Sequence, residues 1–84
     1  MNIEIEQIKP NFTKINIGTT TVWFSYDTPI AFRASGERVV RENIWSTTTG
    51  KHLNAIDGGT KTAKAERVSS EEFDRALDEL ELGE

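Results

Sequence analysis

Residues 12–26, FTKINIGTTTVWFSY, contain two strand-like segments on either side of a turn signal. Ile15 and Ile17 share one side of the first segment, and residues 20–26 are rich in β-branched and aromatic side chains. Gly18-Thr19 is a two-residue connection of the kind that joins antiparallel strands. This stretch therefore predicts a β-hairpin, and the rest of the fold is built outward from it.

Further strands are predicted on both sides of this hairpin. Residues 2–8 alternate isoleucine with glutamate, which is typical of a half-buried strand. Residues 27–29 are a break, either a turn or a strand kink, and residues 30–32 are a short continuation beyond it. A hairpin loop at residues 33–37 then leads into a strand over residues 38–45. Together these segments predict a small antiparallel sheet of four to five strands.

The C-terminal segment predicts one amphipathic, acidic helix over residues 69–82. Ser69 is a good N-cap, and Glu72 completes a capping box three residues later. One apolar stripe with helical spacing is formed by Phe73, Ala76, Leu77 and Leu80. We expect this stripe to pack on the sheet, which makes the fold class α+β. The acids near the end of the helix oppose its dipole and predict fraying there.

The middle of the chain is ambiguous. Residues 46–60 include hydroxyl side chains and the turn signal Asp57-Gly58-Gly59, and they fit a loop, a helical turn or an extended piece. Residues 61–68 are polar and are interpreted as a loop or an edge strand. Because no linker or repeat divides the chain, we expect a single domain over residues 1–84, with a β-rich body at residues 1–68.

Composition limits the classes of protein and site. The 84 residues include no cysteine and one histidine, His52, so disulfides and thiolate zinc sites are excluded and no metal site is expected. A chain this short has a small core, which favours a homo-oligomer. No segment is apolar enough over a sufficient length to cross a membrane, and the N-terminus lacks signal-peptide features, which predicts a cytoplasmic protein.

Acidic side chains are concentrated near the C-terminus. Seven of the 14 acids lie in residues 70–84 beside a single base, Arg75, and the formal net charge of the chain is −4. This distribution argues against general nucleic-acid binding, which needs phosphate-neutralising charge. It fits a solvated helix face or contact with a basic protein partner.

The most function-like stretch is residues 45–54, WSTTTGKHLN. Hydroxyls, a lysine and backbone N–H groups beside a glycine are the donors that a phosphate needs, and an indole can stack on a base. The expected ligand-binding residues are Trp45, Ser46, Thr47, Thr48, Thr49, Lys51, His52 and Asn54. The alternative is a polar loop whose threonines hydrogen-bond their own backbone.

The same stretch does not indicate a catalytic centre. Gly50-Lys51 copies part of a Walker loop, but Trp45 and His52 stand where that motif needs a glycine and a hydroxyl residue. His52 as a general base would need a nucleophile, such as Ser46, and an orienting carboxylate, such as Asp57. Their spacing is not diagnostic, because such triads are recognised by geometry. We therefore expect a non-enzymatic protein with no catalytic residues and no cofactor.

Two tryptophans offer a second kind of site. Trp23 and Trp45 lie on the more polar sides of their predicted strands. Indoles in such positions serve as interface or ligand platforms, unless a helix covers and buries them.

Two stretches carry a resemblance to a known family. Residues 25–32, SYDTPIAF, and residues 42–54, ENIWSTTTGKHLN, resemble the hallmark stretches of small tailed-phage proteins of unknown function. The resemblance extends from about residue 12 to the C-terminal helix. It implies an accessory protein that acts in an infected bacterial cell, and it brings no catalytic residue.

The resemblance favours two functions, both by analogy with phage proteins that block a host component. The first is a counter-defence protein that sequesters a phosphate-bearing small molecule, such as a nucleotide immune signal. The alternative is an inhibitor that binds a host protein through the acidic helix or the tryptophans.

Overall fold

A computed structural model describes residues 2–44 and 47–80 of the chain. Its centre is a five-stranded antiparallel sheet whose strands follow one another in chain order. The strands are β1 (Ile3–Lys9), β2 (Phe12–Ile17), β3 (Thr20–Ser25), β4 (Thr28–Ala34) and β5 (Glu37–Val40). The helices are α1 (Thr47–Asp57), α2 (Lys61–Ala65) and α3 (Ser70–Asp78). The predicted α+β class is confirmed.

Tight turns connect the strands. Gly18-Thr19 joins β2 to β3 as predicted, with Gly18 at a φ of +60°. The predicted break is a turn at Tyr26-Asp27 and not a strand kink, and the strand after it covers residues 28–34 instead of a short piece at residues 30–32. Pro29 lies inside this strand, where the register with β3 shifts between Trp23 and Phe24. A strand tolerates proline, which has no backbone N–H donor, at such an irregularity.

Helices cover both faces of the sheet. On one face, α1 contributes to a core made of Phe12, Ile30, Ala31, Val40 and Leu53. On the other face, α3 contributes to a core made of Val22, Phe32 and Phe73. Trp23 packs against the α1-side core and is half-buried, so it is not an open platform. Trp45 lies outside the described residues.

The segment after β5 differs most from the predictions. β5 ends at Val40 instead of residue 45, α1 extends well beyond the helical turn that was one of the alternatives there, and α2 was not predicted. The threonines and glycine of α1 are weak helix formers. The helix forms because Leu53 gains full burial against the sheet, and this tertiary packing outweighs local propensity. Of the edge strand considered for residues 61–68, the structure contains one isolated parallel β-bridge, between Val68 and Arg41.

The predicted half-burial of β1 is also wrong. Every residue of β1 is exposed, because this strand lies at the edge of the sheet, where its side chains are covered on neither face. Within the described residues, none of the helices is long and apolar enough to cross a membrane.

The helix α3 begins as predicted and ends earlier. The Ser69 hydroxyl accepts a hydrogen bond from the Glu72 backbone N–H at 3.2 Å, and Phe73 is fully buried. The helix ends at Asp78 instead of residue 82, and residues 81–84 lie outside the described part. Acidic side chains at the negative end of the helix dipole account for the early end.

The N-cap supports a first prediction. Ser69→Ala should lower the free energy of unfolding by about 1 kcal/mol, because the backbone donor it satisfies would lose its partner. Ser69→Asp is the matched control and should retain most of the stability, since a carboxylate also caps a helix. Urea denaturation of the three proteins measures the difference, and equal midpoints for Ser69→Ala and the wild type would contradict the cap.

Candidate functional site

The predicted ligand-binding residues are divided between two sides of α1. Thr49 and His52 are buried against the sheet. The remaining described members of the set are exposed on the outer side of the helix: Thr47, Thr48, Lys51 and Asn54. Trp45 and Ser46 lie outside the described residues. The helical repeat of α1 points these side chains in different directions, so the described members of the set do not share one surface.

On the inner side of α1, three polar side chains meet in the core. The Ser25 hydroxyl lies 2.7 Å from Nδ1 of His52 and 3.1 Å from the Thr49 hydroxyl. The His52 ring stacks on Phe12, with 4.7 Å between ring centroids and 6° between their planes. Desolvation by burial, with a smaller contribution from the charge of Lys9, lowers the pKa of His52. The imidazole is therefore neutral at pH 7.

This polar cluster has a serine beside a histidine, but its surroundings favour a structural role. Ser25 and His52 are each about 95% buried. The adjoining cavity of about 60 Å³ is lined by Ser25, Tyr26, Thr28, Ile30 and Thr49. The backbone N–H of Tyr26, the residue after Ser25, already donates a hydrogen bond to the Asn11 carbonyl. It is therefore not available to bind a substrate oxygen beside the serine. The cluster joins α1 to β3, and His52, which was expected to bind a ligand, is a buried core histidine.

At the other end of α1, a buried ion pair ties α1 to the segment after α2. Nε and Nη2 of Arg67 donate to the two carboxylate oxygens of Asp57 at 2.8 and 2.9 Å. Nη2 also donates to Oδ1 of Asn54 at 3.1 Å, and the Gly59 N–H donates to Asp57 at 2.9 Å. Both charged side chains are more than 90% buried. Such bidentate pairing is the arrangement in which a buried charge pair is well satisfied.

The pKa of Asp57 reflects these contacts. Burial by itself would raise this pKa, but the hydrogen bonds from Arg67 and Gly59, with the charges of Arg67 and Arg38, outweigh burial and lower it. Asp57 is thus ionised at neutral pH and compensates the charge of Arg67.

Beside this ion pair lies a polar concavity, which we term the arginine cleft. Its volume is about 320 Å³. It is lined by Arg33, Arg38, Val40, Asp57, Ala63 and Glu66. The strands β4 and β5 supply the two arginines, and the end of α1 supplies Asp57. The helix α2 supplies Ala63, and its C-cap residue is Glu66.

The two arginines of the cleft are direct cross-strand partners in the β4–β5 hairpin. Arg38 donates from Nη1 to the Ile56 carbonyl at 2.8 Å, which holds it against the end of α1. Like charges directly opposite each other in a sheet are destabilising. Arg33 and Arg38 therefore form a site of concentrated positive charge at which an anion would relieve the repulsion.

Comparison with known proteins places the chain in a family but assigns no activity. Residues 3–75 match a family of unknown function, DUF8033. The chain belongs to this family. The matched range includes the five strands, α1 and α2, and every residue of the arginine cleft. Among curated proteins and among solved structures, nothing matches this chain.

The cleft was only partly visible in the sequence. The predicted ligand-binding residues all lie in residues 45–54 and include neither Arg33 nor Arg38. The turn Ser35-Gly36 was the available signal, because a two-residue hairpin loop sets Arg33 opposite Arg38. In the described parts of the chain, no group of three or more histidine, aspartate or glutamate side chains is arranged to hold a metal ion.

Proposed function

We propose that this protein binds a phosphate-bearing small molecule, such as a nucleotide, in the arginine cleft and retains it chemically unchanged. The observation that carries the proposal is the pair of adjacent cross-strand arginines that line a cleft of about 320 Å³. A cavity of this volume falls within the range of small-molecule sites, about 300–1,000 Å³. Guanidinium groups match phosphate geometry because they donate two parallel hydrogen bonds.

The charges around the cleft define the chemistry of the ligand more closely. Arg67 is neutralised by Asp57, so the cationic groups directed to a ligand are Arg33 and Arg38. Arg38 uses one donor on Ile56, and a guanidinium has further N–H donors for a ligand. Glu66 is an acceptor on the same wall. This combination favours a phosphate attached to a group with hydrogen-bond donors, such as a nucleobase or a sugar, over inorganic phosphate.

Binding without turnover agrees with how the nucleophilic side chains are arranged. Ser25 and His52 are each about 95% buried, and neither lines the arginine cleft. Retention requires no general base and no metal ion. In the context that the phage resemblance implies, the ligand would be a nucleotide immune signal, held in the host cytoplasm.

Arg33→Ala tests the proposal. It should weaken binding of a nucleotide by about 10- to 150-fold, which corresponds to about 1.5–3 kcal/mol for a hydrogen bond to a charged group. Calorimetry against cyclic oligonucleotides, mononucleotides and ADP-ribose derivatives provides the measurement. The ligand recovered after denaturation should have its original mass.

Two matched variants separate this cleft from other positive charges. Arg75→Ala removes an exposed arginine from α3, on the opposite face of the sheet, and should leave binding unchanged. Lys51→Ala removes a charge from the outer side of α1 and should also leave it unchanged. If Lys51→Ala weakens binding and Arg33→Ala does not, the ligand occupies the α1 surface instead. Recovery of an altered ligand would indicate an enzyme.

Inhibition of a host protein is the second candidate function. The outer surface of α3 is strongly acidic: its exposed side chains are Glu71, Glu72, Asp74, Arg75 and Asp78. Trp23 no longer supports this alternative, because it is half-buried against the α1-side core. The feature that favours a protein partner is instead the exposed strand β1.

A further inference from the structure

The strand β1 forms an open edge of the sheet. Within residues 2–44 and 47–80, its neighbour is β2 on one side, and its other side is unpaired. All its residues are exposed, including Ile3 at 59% and Ile5 at 72% of their full accessible surface. An edge strand presents a row of unpaired backbone donors and acceptors that can pair with another strand. β1 therefore combines open backbone groups with exposed apolar side chains.

The first four side chains of β1, residues 3–6, alternate between apolar and acidic. Ile3 and Ile5 lie on one face, and Glu4 and Glu6 lie on the other. The inner partner of this strand has complementary chemistry. Isoleucines of β2 lie opposite the isoleucines, whereas Lys14 lies opposite Glu6 and Asn16 lies opposite Glu4. The outer edge presents the same alternation to whatever pairs there.

The isoleucine face continues into an apolar groove. This groove has a volume of about 140 Å³ and is lined by Ile15, Ile17, Val22, Phe24, Pro29 and Leu77. The helix α3 borders it through Leu77, and the exposed side chains of that helix are mostly acidic. This apolar groove is bordered by an acidic helix, which makes the isoleucine side of the sheet complementary to a partner with apolar and basic side chains.

A second copy of this chain does not fit the same edge. The antiparallel alignments that pair Ile5 with Ile3 or Ile5 of a second β1 place glutamate opposite glutamate. Like charges directly opposite each other destabilise a strand pair. The charge pattern thus disfavours the β1-mediated homo-oligomer while leaving the edge open to a strand with the opposite charge.

We propose that β1 is a docking edge for an extended segment of a partner protein in which apolar and basic residues alternate. The backbone of that segment adds a sixth strand to the sheet, as in other β-augmentation complexes. Its apolar side chains lie beside Ile3 and Ile5, and its lysine or arginine side chains lie opposite Glu4 and Glu6. Backbone pairing supplies affinity, and the alternation supplies specificity.

A synthetic peptide as long as β1, with alternating lysine and valine, is the probe for this edge. Fluorescence anisotropy should report binding of this peptide and not of a control peptide in which glutamate replaces lysine. Hydrogen exchange followed by NMR should show new protection along β1. The double variant Glu4→Gln and Glu6→Gln should bind the peptide about 2- to 30-fold more weakly, the combined effect of two opposite-charge cross-strand pairs.

A matched pair of serine variants tests the apolar face. Ile3 and Ile44 are each 59% exposed, but only Ile3 lies on β1. Ile3→Ser should weaken peptide binding, whereas Ile44→Ser and Arg33→Ala should not. Absence of binding, equal binding of both peptides, or protection elsewhere on the protein would overturn the proposal. A wild-type dimer that dissociates on Ile3→Ser would overturn it in favour of a second copy. The arginine-cleft proposal does not depend on these results, because it is tested by nucleotide binding.

Discussion

Phe73→Ala is expected to lower the free energy of unfolding by about 3–5 kcal/mol, the usual cost of emptying a buried phenylalanine site. Phe73 is fully buried and joins α3 to Val22 and Phe32 of the sheet. Its ring lies 5.5 Å from that of Phe32, and the guanidinium carbon of Arg41 lies 4.9 Å from its centroid. A domain of this size has about 4–13 kcal/mol of total stability, so the loss would remove much of it.

Urea denaturation followed by circular dichroism measures this loss. Phe73→Leu is the matched control, since it retains most of the apolar volume and should cost less. Leu77→Ala should also cost less than Phe73→Ala, because Leu77 is half-buried and lines an open groove. An unchanged midpoint for Phe73→Ala would show that α3 does not pack on the sheet. A variant that is already unfolded without urea would agree with the prediction.

Asp57→Asn is the second substitution expected to have a large effect. It removes the carboxylate charge from a buried pair and leaves the guanidinium of Arg67 without its counter-charge. Breaking a buried pair in this way typically costs about 3–5 kcal/mol. The loss should be smaller when Asp57→Leu is combined with Arg67→Met, because no buried charge then lacks a partner. Thermal and urea unfolding of the single and double variants measure the coupling.

The same ion pair predicts the direction of a pH effect. The pKa of Asp57 in the folded protein lies below its ordinary value of 3.8. The folded state therefore binds the proton less tightly than the unfolded state does. The stabilisation is fully present above about pH 4 and decreases as the pH falls through the lower, folded-state pKa. Asp57→Asn should reduce this acid dependence of stability.

Asp78→Asn is the control for both measurements. Asp78 is exposed at the end of α3, and its replacement should change stability by about 0.5 kcal/mol or less. If Asp57→Asn behaves like Asp78→Asn, the ion pair does not stabilise the connection between α1 and α2. The arginine cleft would then lack a rigid wall, and retention of a ligand there would need another explanation.

Local sequence signals determined several elements of this protein. The turn at Gly18-Thr19, the strand β2 and the N-cap at Ser69 follow from patterns within a few residues of each site. Such signals work because turn geometry, alternation and capping depend on neighbouring residues. The apolar stripe of α3 likewise predicted its packing against the sheet.

Tertiary structure decided the rest. α1 forms from weak helix formers because Leu53 and His52 become buried on a sheet face that is formed by distant residues. That burial separates the predicted binding residues onto two sides of the helix. The arginine cleft likewise combines a strand hairpin with the ends of two helices, an arrangement that no single segment encodes. The sequence by itself specified the β2–β3 hairpin, the α+β fold class and the helix α3. Long-range packing determined which polar residues meet, because such a meeting depends on contacts between residues that are far apart in the chain.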